Sequence, residues 1–232
     1  MNLISIIIPV LNEAKNILRI YNHIESIKGN HPVEIIFIDG DDTGSTIHNL
    51  REKNAKTLIS SKGRSIQMNA GAWQAKADIL LFLHADTFLP DSAFDEIMKT
   101  MSTGKYKGGA FDLGIDNPKW QYRLIEYFAS LRYRKTKIPF GDQAIFINRD
   151  YFKEIGGYRE IPLMEDVELM RRIKENDGNI HIIPLKTKSS ARNWEKDGII
   201  YTTLRNWTIQ ILYSAGISPD RLVKYYYKEV KQ

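Results

Sequence analysis

Leu3-Ile4-Ser5-Ile6-Ile7-Ile8-Pro9-Val10 is an almost unbroken run of apolar, mostly β-branched residues. A strand with one wet face alternates apolar and polar side chains, so an unbroken run marks a strand covered on both faces. The pattern recurs downstream. Val33 to Ile38 is a second such run and ends at Asp39-Gly40. Thr57 to Ser60 is a short third strand, and Ile79 to Leu83 is a fourth that ends at His84-Ala85-Asp86. Helical segments fill the gaps: residues 12–28, with Ile17, Ile20, Ile24 and Ile27 on one face, then 43–54, 65–76 and 91–101. This alternation predicts an α/β chain whose mostly parallel sheet is wrapped by helices on both sides.

The second half is less regular. Strands are expected at 110–115, 144–147 and 180–183, and helices at 120–133, 150–155, 164–176 and 196–214. The 120–133 helix carries one apolar face at positions 120, 124, 127, 128 and 131, and the last helix carries Ile200, Leu204, Trp207 and Ile211. No internal repeat or long linker interrupts the chain. Its 232 residues suit one domain, read as a body at 1–195 and a C-terminal helical extension at 196–232 packed on it.

Composition narrows the chemistry. There is no cysteine, which removes disulfides, thiol catalysis and cysteine-ligated metals and fits a cytoplasmic chain. No apolar run reaches the roughly 18 residues of a bilayer-spanning helix. The N-terminus lacks a basic stretch before its apolar run and reads as a strand, not a signal peptide. The net charge of +5 is unevenly placed: residues 1–185 hold 24 basic and 24 acidic groups, and residues 186–232 hold 9 and 4. A neutral body with a basic tail suits phosphates, an anionic membrane or an acidic partner, and equally a solvated basic face.

Ligands in an open parallel sheet sit beyond the carboxyl ends of its strands. Here those ends are Asn12-Glu13, Asp39-Gly40-Asp41-Asp42 and His84-Ala85-Asp86. Acids gathered there repel unless a cation or hydrogen-bond donors join them, and magnesium or manganese prefers such oxygens. Asp42 or Thr43 would serve equally as a helix cap. Neither GxGxxG nor GxxxxGK[ST] occurs, which argues against a dinucleotide oxidoreductase and a P-loop NTPase. Phosphate would have to be held by metal and by scattered basic groups such as Lys62 and Arg64.

The pieces Ser5–Glu13, Glu34–Gly40 and Leu81–Asp86, with Gly141-Asp142-Gln143 and Met164-Glu165-Asp166, together resemble glycosyltransferase family 2 with its GT-A fold. The likeness covers about residues 3–195. The stretch Gly63–Ala72 and the run at 162–166 are similar to a subgroup of small, single-domain bacterial and archaeal members. The resemblance implies an inverting transferase, hexosyltransferase-like, that uses a nucleotide-diphosphate sugar donor, a divalent metal and an acceptor hydroxyl on a lipid or small molecule. Pro9, Asn12, Glu13 and Asp39 would line the base and ribose pocket. Arg64 and the Gln67, Asn69 and Gly71 segment would flank the nucleotide. Asp86 would be the metal-binding end of a DxD motif whose first Asp is His84 here, so that His84 becomes a metal ligand, a ribose contact or a spacer. Asp166 matches the catalytic base, next to Glu165. Gly141, Asp142 and Gln143 would read sugar hydroxyls, and Arg192 and Trp194 would meet the diphosphate and the sugar.

Two aromatic–basic stretches, 119–135 and 201–228, suit a membrane–water interface, but two helices packed on each other with their basic flanks in water is the favoured reading. Peripheral contact with the inner membrane face is therefore compatible with a cytoplasmic location. Nucleic acid is not expected, since the body is neutral and no binding module is present. A sugar-nucleotide-binding or membrane-surface protein without transfer activity is the competing reading, and a nucleotidyltransferase a third.

Overall fold

The computed structural model describes residues 3–228; side chains are described to Tyr226. The elements in chain order are β1 (Ile4–Val10), α1 (Ile17–Ile27), β2 (Val33–Asp39), β3 (Lys56–Ile59), α2 (Arg64–Gln74), β4 (Ile79–Phe82), β5 (Thr87–Phe88), α3 (Ala93–Ser102), β6 (Gly108–Asp112), α4 (Trp120–Thr136), β7 (Phe146–Asn148), α5 (Arg149–Glu154), α6 (Glu165–Glu175), β8 (Ile180–Lys186), β9 (Lys188–Ser189), α7 (Arg192–Asp197), α8 (Ile199–Ser214) and α9 (Pro219–Lys228). Seven strands form one sheet in the order β3-β2-β1-β4-β7-β6-β8. Only β7 runs against its neighbours. The short β5 and β9 pair antiparallel in a separate two-stranded ribbon.

The unbroken apolar runs do what their composition demands. Along β1 and β2, Ile7, Ile36 and Ile38 enter one core layer with Met68, Phe152 and Leu169. Ile6, Ile8, Ile35 and Phe37 enter the opposite layer with Ile17, Ile20, Ile24 and Phe94. Each such side chain contributes about 1.5–3 kcal/mol on burial, so both faces of the central strands are committed. α2 approaches the sheet closely at Gly71, where an added Cβ would lie 2.7 Å from Ile38 Cδ1 and from Ile7 Cγ2.

Several expected segments are redrawn. α1 begins at Ile17, because Asn12 adopts a left-handed φ of 58° and residues 13–16 form a turn. The helix expected over 43–54 shrinks to a single 3-10 turn at Ile47–Leu50. Asp41 captures the hydroxyls of Thr43 and Ser45, and Asp39 takes the amides of Thr46 and Ile47, so short polar side chains hold the loop instead. The helix expected over 196–214 is divided by Gly198, whose φ is 91°, into α7 and α8.

The apolar faces foreseen on α4 and α8 exist, but they point outward. Trp120, Leu124, Tyr127, Phe128 and Leu131 are exposed on α4, as are Ile200, Leu204, Trp207 and Ile211 on α8. Tyr122, Glu126 and Tyr133 are the buried residues of α4, and Thr202 and Ile209 those of α8. Among the described residues no helix is long and apolar enough to cross a membrane.

Candidate active site

The carboxyl ends of β1, β2 and β3 open onto a crevice of about 520 Å³ lined by Leu11, Asn12, Gly40, Asp41, Asp42, Ser60, Ser61 and Lys62. Pro9 sits half-buried in β1 at its approach. Asp39 closes β2 with a fully buried carboxylate that accepts backbone N–H bonds from Asp41 at 3.1 Å, Thr46 at 3.0 Å and Ile47 at 3.3 Å. It thereby fixes the loop that forms one wall. Asp41 is half-buried, and the hydroxyls of Ser45 and Thr43 hold its pKa down to about 2. Gln67 lies beneath the floor, where its Nε2 donates to Val10 O and Ile38 O, each at 2.8 Å, and ties β1 to β2. Asn69 pairs with both backbone groups of Tyr158. Gln67, Asn69 and Gly71 thus build the support for the crevice from inside the protein. Ser60 and Ser61 were not singled out from sequence, although they follow a strand end as Asn12 and Asp39 do.

The next strand brings in the second group. Asp86, about a fifth exposed, lies 3.2 Å from Arg192 Nη2, and the same nitrogen donates to Glu13 Oε1 at 2.6 Å. Glu13 Oε2 accepts from Asn16 Nδ2 at 2.6 Å. Arg192 is therefore the cation that joins the ends of β1 and β4, while backbone amides hold Asp39 at the end of β2. Burial raises the pKa of Asp86, and the Arg192 guanidinium opposes that rise. A smaller cavity of about 120 Å³ beside them is lined by Asn16, Arg19, Asp86, Ser190 and Glu195 among others.

The third group comes from the second half of the chain. Asp166 is the second residue of α6, with its Oδ2 accepting from Gly141 N at 2.6 Å and its Oδ1 from Val167 N at 2.7 Å. A Cβ on Gly141 would lie 2.6 Å from His84 Nε2 and 3.6 Å from Asp166 Oδ2, so only glycine fits this close against the His84 ring. Burial, and then the charge of Arg64, pushes the His84 pKa well below its ordinary value and leaves the imidazole neutral. Arg64 Nη1 lies 3.3 Å from buried Glu165, whose pKa burial raises and Arg64 lowers.

Asp142 is the least satisfied of these acids. Its buried Oδ1 has no hydrogen-bond partner among the described residues. Burial, with the nearby charge of Asp166, lifts its pKa to about 6 despite the opposing charge of Arg132. Arg132, absent from the sequence expectations, comes from the inner side of α4 and stacks 3.8 Å over the Phe140 ring. No spacing rule marks it, because its place depends on how α4 packs. Gln143 is turned into the protein: its Nε2 donates to Phe111 O and its Oε1 accepts from Phe140 N. Trp194 is half-buried, edge-on to Tyr122 at 6.2 Å, with its Nε1 directed to Thr203 Oγ1 at 3.3 Å.

Comparison with known proteins places this arrangement. A solved structure of S. aureus TarS, residues 1–349, superposes with a TM-score of 0.61 over 91% of this chain, at 15% identity. This chain spans 66% of that structure's length, somewhat under two thirds. In all, 347 chains of solved structures match, so the fold by itself selects no substrate. No curated protein matches the sequence. The sequence model of glycosyl transferase family 2 matches residues 5–156, which span β1 to the end of α5 and include Asp39, Arg64, His84, Asp86 and Gly141. With a mostly parallel sheet flanked by helices and its polar residues gathered at the strand ends, the chain has the GT-A fold and belongs to glycosyl transferase family 2.

Proposed function

We propose that the chain is an inverting, hexosyltransferase-like enzyme that moves a sugar from a nucleoside-diphosphate sugar to an acceptor hydroxyl, with Asp166 as general base. One observation carries the reading. Gly141 donates its N–H to Asp166 Oδ2 at 2.6 Å and packs against His84, two residues before Asp86, so the carboxylate is held near the carboxyl end of β4. Family membership supports sugar transfer in general terms, and the roles below rest on chemistry.

The acceptor oxygen loses its proton as it attacks the anomeric carbon. A carboxylate within hydrogen-bond reach takes that proton. Each Asp166 oxygen holds one backbone N–H, which fixes the carboxylate and leaves a lone pair free on each. The new C–O bond forms as the bond to the diphosphate breaks, and the electron pair leaves with the diphosphate. Base and leaving group on opposite sides of the sugar give inversion. Nucleoside recognition falls to Asn12, the Gly40–Asp42 loop and Ser60–Lys62, with Asp39 fixing the wall. Arg64, Arg192 and Lys62 supply positive charge for the diphosphate.

Among the described residues no three His, Asp or Glu gather to hold a metal ion, so a divalent cation would depend on a pair of carboxylates and on substrate phosphates. Asp86 and Glu13 already share one cationic group, the Arg192 guanidinium, and magnesium binds through one or two carboxylates together with substrate phosphates. Asp86, with Glu13 beside it, would hold the ion. When bound it neutralises charge on the leaving diphosphate. The 196–232 segment is proposed as a helical extension on the 1–195 catalytic domain, its last four residues lying outside the described ones. Arg171 supports this by donating to Ser214 Oγ at 2.8 Å, which ties α6 to α8. The acceptor is a lipid or a small molecule, and the location is cytoplasmic.

The base assignment is tested by Asp166→Asn. Transfer should fall by about 10²–10⁴-fold while nucleotide affinity stays within about twofold. Turnover comparable to the unaltered enzyme would put the base elsewhere.

A further inference from the structure

We propose that the outward faces of α4 and α8 form a docking surface for an anionic lipid membrane. Fourteen large apolar side chains are exposed among the described residues, and ten of them lie on these two helices. Single exposed hydrophobes need no explanation, but a contiguous patch does. Trp120, Leu124 and Phe128 follow one another along one side of α4, and Leu204, Trp207 and Ile211 along one side of α8. The edge-to-face contact of Phe128 with Trp207, at 6.4 Å between ring centres, joins the two rows.

Charge selects the occupant. Lys119, Arg123, Arg134 and Lys135 are exposed beside the α4 row. The only acid of α4, Glu126, is buried and held by Arg123 at 2.9 Å and Lys186 at 2.7 Å. Residues 198–219 contain no Asp or Glu. A patch rich in Trp, Leu and Phe and fringed mainly by cations, with exposed Asp116 and Glu195 only at the N-terminal end of α4, matches an acyl boundary beneath anionic headgroups. Two copies meeting through the same faces would set these cations against each other, so a second copy is the weaker fit. The helices would lie on the bilayer without crossing it.

This surface is independent of the catalytic assignments. Full-length protein should co-sediment with phosphatidylcholine vesicles that contain phosphatidylglycerol, and Trp emission should shift to the blue. Binding should be weaker by about tenfold or more with pure phosphatidylcholine, at high salt, and in the Phe128→Glu/Trp207→Glu variant. Leu18→Glu, on α1, should bind as the unaltered chain does. Equal binding to neutral vesicles would overturn the proposal, as would binding unaffected by the double substitution. A blue shift absent from unaltered protein would also overturn it, as would a dimer dissociated by the double substitution without any vesicle binding.

Discussion

Asp142 gives the site a pH dependence that follows from its burial beside Asp166. Folded, it keeps its proton up to about pH 6; unfolded, it releases it near the ordinary 3.8. Between those values the folded chain binds more protons, so stability is fullest below the unfolded value and declines as pH rises through the folded one. The decline amounts to up to about 3 kcal/mol for a shift of this size. Asp142→Asn keeps the shape and has no proton to lose. Its stability in urea should therefore exceed the unaltered chain's at about pH 8 by more than at about pH 5. An equal offset at both pH values would place the ionisation elsewhere. At this scale the sequence located the acids well, because strand ends can be read from apolar runs. It did not distinguish a polar residue that faces the crevice from one that supports it. Gln67, Asn69 and Gln143 spend their amides on backbone groups of distant segments, at Val10, Tyr158 and Phe111, and no local spacing encodes such partners.

Elements carry the geometry that residues use. α2 lies close enough to β1 and β2 for Gln67 to bond the ends of both strands only because Gly71 has no side chain. Gly71→Ala should lower stability by about 1–3 kcal/mol through forced repacking of Ile7 and Ile38, read as a lower urea midpoint with unchanged slope. An unchanged midpoint would mean that the helix can shift away at no cost. The strands and most helices were legible because period and burial agree in a sheet covered on both sides. The 43–54 segment was not, since hydroxyl and carboxylate side chains competed with the helix for backbone groups. The facing of α4 and α8 was not legible either. Periodicity defines a stripe, but says nothing of whether protein or another apolar surface covers it.

Across the whole molecule, charge and topology converge on the carboxyl ends of the central strands. The excess of positive charge lies entirely in residues 186–232, and its member Arg192 reaches back to Glu13 and Asp86 at the ends of the first and fourth strands. The C-terminal part is thereby drawn to the carboxyl-end side of the sheet, while α4 and α8 turn their apolar faces away from the core. The central claim is that the crevice there takes a nucleoside-diphosphate sugar. Its most direct test is calorimetric titration of the purified chain with UDP-, GDP-, TDP- and CDP-sugars, each with manganese, magnesium or chelator. The account predicts that at least one donor binds, and that chelation and Asp86→Asn each weaken it by about tenfold or more. Binding of none of the donors would contradict it, and binding unchanged by chelator would remove the metal from the site.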